Sequence, residues 1–180
     1  MEKVENLKKE SLLHNEKAKV IIGTVLLSGL GVALPRIFHV LAGTSAGAIF
    51  LPMHIAVLLA SLIFGVLSGS IVAGISVLCS YLLTGMPSVA RLPYMAIELI
   101  IYAVLLGLFN KKLNSYVSLI LTMVVGRILY AGVLFAAAEV FMLSSYGTSV
   151  LESVKLGIPG LFIQVLLVPV IAKIIKERIK

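Results

Sequence analysis

Long apolar runs alternate along this chain with short stretches that gather Gly, Pro, Asn and charge. The first run extends from about Ala18 to Leu41, with Pro35 and Arg36 near its far end. A small-residue stretch, Ala42 to Ala48, separates it from a short run that Pro52 opens and that reaches Phe64. Proline at that position marks a helix start, because a first-turn N–H has no intrahelical partner to lose. Gly65 to Ser70 punctuate the chain before a third run ending near Leu83, and Thr84-Gly85-Met86-Pro87-Ser88 is a turn signal. Pro93 opens a fourth run to Phe109, and Asn110-Lys111-Lys112-Leu113-Asn114 forms a polar connection. The fifth run covers about Tyr116 to Met142, a loop is expected over 143–153, and the sixth run lies at about Gly157 to Ile175. A spanning helix needs about 20 apolar residues. The pattern therefore predicts an all-α integral membrane protein with six transmembrane helices within 18–175. A basic segment, 1–17, precedes them as a short surface helix, and a basic tail, 176–180, follows.

Composition makes lipid the solvent. Hydrophobic residues make up 60% of the 180 and charged residues only 13%, with a mean hydropathy of +1.13. A soluble domain is about a quarter charged, so too little polar surface exists here to cover a water-soluble globule. The net charge of +7 is distributed as a membrane topology requires rather than as a nucleic-acid footprint, and no nucleic-acid partner is expected. With both termini on one side, that side collects Lys3, Lys8, Lys9, Lys17, Lys19, Lys111, Lys112, Lys173, Lys176, Arg178 and Lys180. The other side holds Arg36, Arg91 and Lys155. Basic residues favour the cytoplasmic face, which puts both termini in the cytoplasm of a multi-pass cell-membrane protein. The first run is read as a retained helix rather than a cleaved signal, since Pro35, Arg36 and His39 intervene before Thr44-Ser45-Ala46.

Candidate chemistry follows from where the remaining polar groups fall. Arg36, His39, His54, Arg91, Tyr94 and Glu98 lie at the outer ends of the first four spans or in their loops, and Glu139 at the outer end of the fifth. Tyr146, Glu152 and Lys155 come from the approach to the sixth. Ionisable groups at membrane depth are costly and face a protein interior or a cavity, so the cluster predicts a polar pocket opening outward. Arg36 and Arg91 also suit a plainer role as headgroup anchors. Glu98 lies too deep for a short side chain to snorkel, and Arg127 at mid-span requires an internal partner, either Glu98 or a backbone carbonyl. Small residues four apart, Thr24/Ser28, Gly29/Ala33 and Gly65/Gly69, place close-approach faces on spans one and three. Such faces serve packing within the chain or docking of another membrane subunit. No nucleotide-binding loop of the G-x-x-x-x-G-K-[ST] type, no metal-ligand spacing and no nucleophile–base motif occurs in the sequence. The lone Cys79 allows no intrachain disulfide. Neither enzymatic activity nor a cofactor or metal is expected.

Three segments carry a family resemblance: Phe50-Leu51-Pro52-Met53-His54-Ile55-Ala56-Val57-Leu58-Leu59-Ala60, then Gly65-Val66-Leu67-Ser68-Gly69-Ser70-Ile71-Val72-Ala73-Gly74. The third is Leu82-Leu83-Thr84-Gly85-Met86-Pro87 with Pro93-Tyr94-Met95-Ala96-Ile97-Glu98-Leu99. With the basic N-terminus and six short spans, the chain resembles the substrate-binding S components of energy-coupling factor (ECF) vitamin transporters. The resemblance implies a vitamin or precursor bound near the outer side, under loops at about Ala42–Leu51 and Thr84–Leu92. It also implies a coupling membrane subunit and two ATPase subunits as partners. In that family two alanines four apart on span one face the coupling subunit, whereas this chain has Thr24 and Ser28, or Gly29 and Ala33. Pantothenate, a cobalamin-related compound and a flavin all fit the polar residues, whereas the absence of Trp fits a biotin- or thiamin-type site poorly. A stand-alone secondary carrier or channel is the alternative, and it would place ionisable residues at mid-membrane on several spans. A membrane scaffold would leave the outer cluster without a purpose.

Overall fold

The computed structural model describes residues 2–43, 49–89, 91–141 and 146–179, with side chains over 15–43, 49–89, 91–136 and 157–179. Every regular element among them is helical. The helices are α1 (Glu2–Ala42), α2 (Pro52–Phe64), α3 (Val66–Thr84), α4 (Leu92–Phe109), α5 (Ser115–Phe141) and α6 (Tyr146–Ile179). Five segments are long and apolar enough to cross a membrane: Asn15–Ala42, Val66–Thr84, Leu92–Phe109, Ser115–Ala136 and Gly157–Ile179. Large apolar side chains ring the outside, among them Ile21, Ile22, Val25 and Leu26 on α1, Phe135 on α5 and Phe162 on α6, all exposed. Water would penalise such a surface at roughly 25 cal/mol per Å², and hydrocarbon does not.

Two helices are longer than the sequence pattern implies. The charged segment expected as a separate surface helix is continuous with the first span in α1, because no Gly or Pro interrupts residues 2–22. The expected loop over 143–153 is helical from Tyr146 onward. Pro159 and Pro169 lie inside α6.

α2 is the exception to the spanning pattern. Its 13 residues rise only about 20 Å, short of a roughly 30 Å hydrocarbon core. Ten of those 13 residues are buried, from Pro52 to Leu62, and α2 packs against α1, α3, α4 and α6. It is the central helix of the bundle. Gly65 turns the chain from α2 into α3 at φ 91° and ψ −173°, a region that an L side chain resists. Gly69, one turn into α3, then lies against α2 and α4. A Cβ there would stand 2.8 Å from Ser61 Cβ and 3.1 Å from Ala103 Cβ. The Ser61 hydroxyl donates to the Ala103 carbonyl across the same seam.

Hydrogen bonds fix which ends of the helices meet. Asn110 Nδ2 donates to Leu62 O at 3.4 Å, and Lys19 Nζ donates to Ile179 O at 2.7 Å. The start of the apolar part of α1 and the end of α6 therefore share one end of the bundle with the α2–α3 turn. At the other end, Gln164 Nε2 donates to Phe50 O at 3.3 Å and Leu51 O at 3.2 Å. The Phe38 and Phe50 rings meet there at 5.4 Å. Residues 44–48 of the loop expected to act as a lid lie outside the described residues.

Gly69 and Gly74 on α3 give a matched test, since a Cβ at Gly74 meets nothing within 4 Å. Gly69→Ala should lower thermal stability in detergent by about 1–3 kcal/mol, while Gly74→Ala should leave it unchanged. Equal melting of the two variants would contradict the packing of α2 between α3 and α4.

Candidate functional site

The candidate site is built where α2 stops short. Leu51, the residue before α2, has left-handed backbone angles of φ 48° and ψ 49°. That conformation costs a side-chain-bearing residue about 1–2 kcal/mol. Pro52 at the first helical position and the Gln164 amide on the Leu51 carbonyl hold it there. The first turn of α2 then presents His54, only 2% exposed, to the interior. α4 contributes Glu98 and, one turn later on the same face, Tyr102; both are buried. α5 contributes Arg127 from the middle of its span, and α6 contributes Gln164, 1% exposed.

Arg127 Nη1 stands 3.0 Å from Glu98 Oε1, with side-chain exposures of 11% and 10%. This is the internal partner that mid-span depth requires of Arg127, and of the two expected possibilities it is the carboxylate. His54 Nε2 lies 3.6 Å from the same Glu98 oxygen, just beyond hydrogen-bond length. The His54 ring meets Tyr102 edge-on with centroids 5.4 Å apart and planes at 68°. Gly126 on α5 permits this, because a Cβ there would press on the Tyr102 ring at 2.8 Å. Tyr130, one turn beyond Arg127, lies within electrostatic range of Glu98, Arg127 and Arg91.

Several buried polar atoms in this cluster have no hydrogen-bond partner among the described residues. They are both ring nitrogens of His54, the Tyr102 hydroxyl, Nε and Nη2 of Arg127 and Oε1 of Gln164. A buried polar atom without a partner costs about 1–3 kcal/mol. Native proteins keep few of them, and each one calls for an explanation.

The residues expected to form one outer cluster separate in the structure. His54 and Glu98 come together, and with Arg127 they lie inside the bundle instead of at its rim. Arg36 and Arg91 are exposed, while His39 and Tyr94 are half-buried. The Glu139 side chain, with those of Tyr146, Glu152 and Lys155, lies outside the described residues. Tyr102 and Gln164 were not singled out in the sequence. The four-residue step from Glu98 to Tyr102, and a lone Gln in the apolar run of α6, were the available signals. An open crevice of about 300 Å³ lies at the opposite end of α2, lined by Glu16, Lys19, Ile63, Phe64, Lys176 and Ile179. Lys19 is already engaged there by Glu16 and the Ile179 carbonyl, and the crevice is remote from the buried cluster.

The small-residue faces divide as well. Thr24, Ser28 and Gly69 are buried within this chain. The Thr24 and Ser28 hydroxyls bond back to their own helix, and Ser76 donates to Ser28 O. Gly65 serves the α2–α3 turn. Gly29 and Ala33 are exposed, and they alone of these six keep an outward face.

Breaking the Glu98–Arg127 pair should be costly in one direction and mild in combination. Arg127→Met leaves a buried carboxylate beside His54 alone and should cost about 3–5 kcal/mol. The double variant Glu98→Gln/Arg127→Met removes both charges and should recover much of that loss in detergent unfolding. Strict additivity of the two substitutions would contradict the pairing.

Comparison of the chain with protein-family models, with curated proteins and with solved structures finds no match in any of the three.

Proposed function

We propose that this chain is a multi-pass protein of the cell membrane that binds a vitamin or vitamin precursor for uptake. In this reading it works with a coupling membrane subunit and two ATPase subunits, because its own sequence contains no nucleotide-binding loop. α2 is then a sixth, shortened pass that covers the cytoplasmic part of the bilayer. Both termini face the cytoplasm, in keeping with the basic residues at that end. The observation that carries the reading is the buried cluster of His54, Glu98 and Arg127 from three helices, with Tyr102 and Gln164 beside it. Convergent polar groups in an otherwise apolar setting, at the start of an interrupted helix, are how membrane proteins build solute sites. The resemblance of segments 50–60, 65–74, 82–87 and 93–99 to ECF S components supplies the transport context. Of the small-residue faces, Gly29 and Ala33 are the pair available to a coupling subunit.

A stand-alone carrier is favoured by one specific feature of the same cluster. Ionisable residues at depth on three different helices are what an ion relay requires, and His54, Glu98 and Arg127 meet that description. The two readings part on energy source. An S component takes up its ligand only with its ATPase partners, whereas a carrier needs an ion gradient and no ATPase.

The chain purified gently from rich medium should carry one small molecule near one per chain, identified by mass spectrometry. His54→Gln and Glu98→Gln should lose it. Uptake into vesicles containing this chain alone, driven by a proton or sodium gradient, would contradict the S-component reading and establish the carrier.

A further inference from the structure

The geometry of the guanidinium assigns the ligand a chemical class. Glu98 meets Arg127 only through Nη1, at 3.0 Å. Nε and Nη2, the two nitrogens whose N–H bonds run side by side, are buried and carry no hydrogen bond. That edge is the fork that accepts the two oxygens of a carboxylate in parallel. Nη2 borders the seam between the start of α2 and α6, where a Cβ built on Gly157 would lie 3.2 Å from Nη2 and 3.0 Å from Leu51 Cδ1. Around the same seam, His54 and Tyr102, 2% and 1% exposed, offer further N–H and O–H groups without partners.

We propose that the Nε–Nη2 edge of Arg127 receives a single carboxylate of the bound molecule, at the seam of α2, α5 and α6, with Tyr102 and His54 as the neighbouring donors. The proposal rests on the binding reading above and narrows it from any vitamin-like solute to a monoanionic one. Charge sets the limit of one. Arg127 and Glu98 cancel, so an incoming anion adds one uncompensated negative charge to a site where such charge is expensive. A phosphate monoester would add two such charges, at a correspondingly higher cost. Gln164, whose Oε1 lacks a hydrogen-bond partner, accepts from a hydroxyl or amide N–H group elsewhere on the same molecule.

Paired probes test this with the full chain in lipid nanodiscs: pantothenate against panthenol, nicotinate against nicotinamide, and riboflavin phosphate against riboflavin. One carboxylate should raise the melting temperature while its neutral twin at equal concentration does not. Arg127→Lys keeps a cation for Glu98, and so keeps the fold, but replaces the fork with a point charge. It should bind that carboxylate about tenfold to hundredfold more weakly. Equal binding of the neutral twin, preference for the phosphate, or wild-type affinity in Arg127→Lys would overturn the carboxylate assignment and leave the binding function standing. Failure of every probe to stabilise the wild-type chain would overturn both.

Discussion

A positive charge in the middle of a membrane-spanning helix is the constraint on which this structure turns. Arg127 sits near the centre of the Ser115–Ala136 segment, where an unpaired cation is costly, so a carboxylate has to come to it. Glu98 does so from α4, and with it come the register of α4 against α5 and the depth at which α2 begins. His54 completes the set from the first turn of α2. The short helix, the left-handed Leu51 and the Gln164 amide that satisfies two pre-helical carbonyls all follow from ending a helix inside a bundle without orphaning its backbone.

Close approach of backbones makes this arrangement compact. Gly69 against Ser61 and Ala103, Gly107 against Val66, and Gly126 against Tyr102 each bring α4 within reach of a neighbour. Small residues take the part in lipid that apolar burial takes in water, since hydrocarbon already solvates the large side chains. Ala, Gly and Ser are interspersed on the inner face among buried residues such as Leu58, Leu62, Leu99 and Val72, while further large aliphatic residues face outward.

Much of this was legible in the sequence, for identifiable reasons. Apolar run lengths and the punctuation at Pro52, Gly85 and Pro93 placed α2, α4 and the end of α3 to within a residue or two, whereas α3 begins at Val66, inside the Gly65–Ser70 stretch read as punctuation. The Arg127–Glu98 pair was foreseeable because mid-span arginine has few options. His54 was read as a rim residue, since run lengths do not say how deep a short helix sits. Thr24, Ser28 and Gly69 pack inside the chain, and a four-residue period marks a face without saying what covers it. The extent of α1 was missed because charge suggested a separate surface helix where no Gly or Pro breaks the chain, and that of α6 because residues 143–153 were read as a loop. Tyr102 and Gln164 were missed because neutral polar residues in apolar runs carry no pattern of their own.

The account's central claim is that His54, Glu98 and Arg127 form a binding site and not merely a stabilising ion network. Hydrogen–deuterium exchange on the chain in nanodiscs, compared as purified and after co-purified small molecules are dialysed away, tests this most directly. The account predicts that removal loosens the peptides containing residues 49–56, 94–102, 124–130 and 157–164 together, and leaves α3 unchanged. Identical exchange in both samples, or changes confined to the surface loops, would contradict it and leave the cluster as a structural ion network.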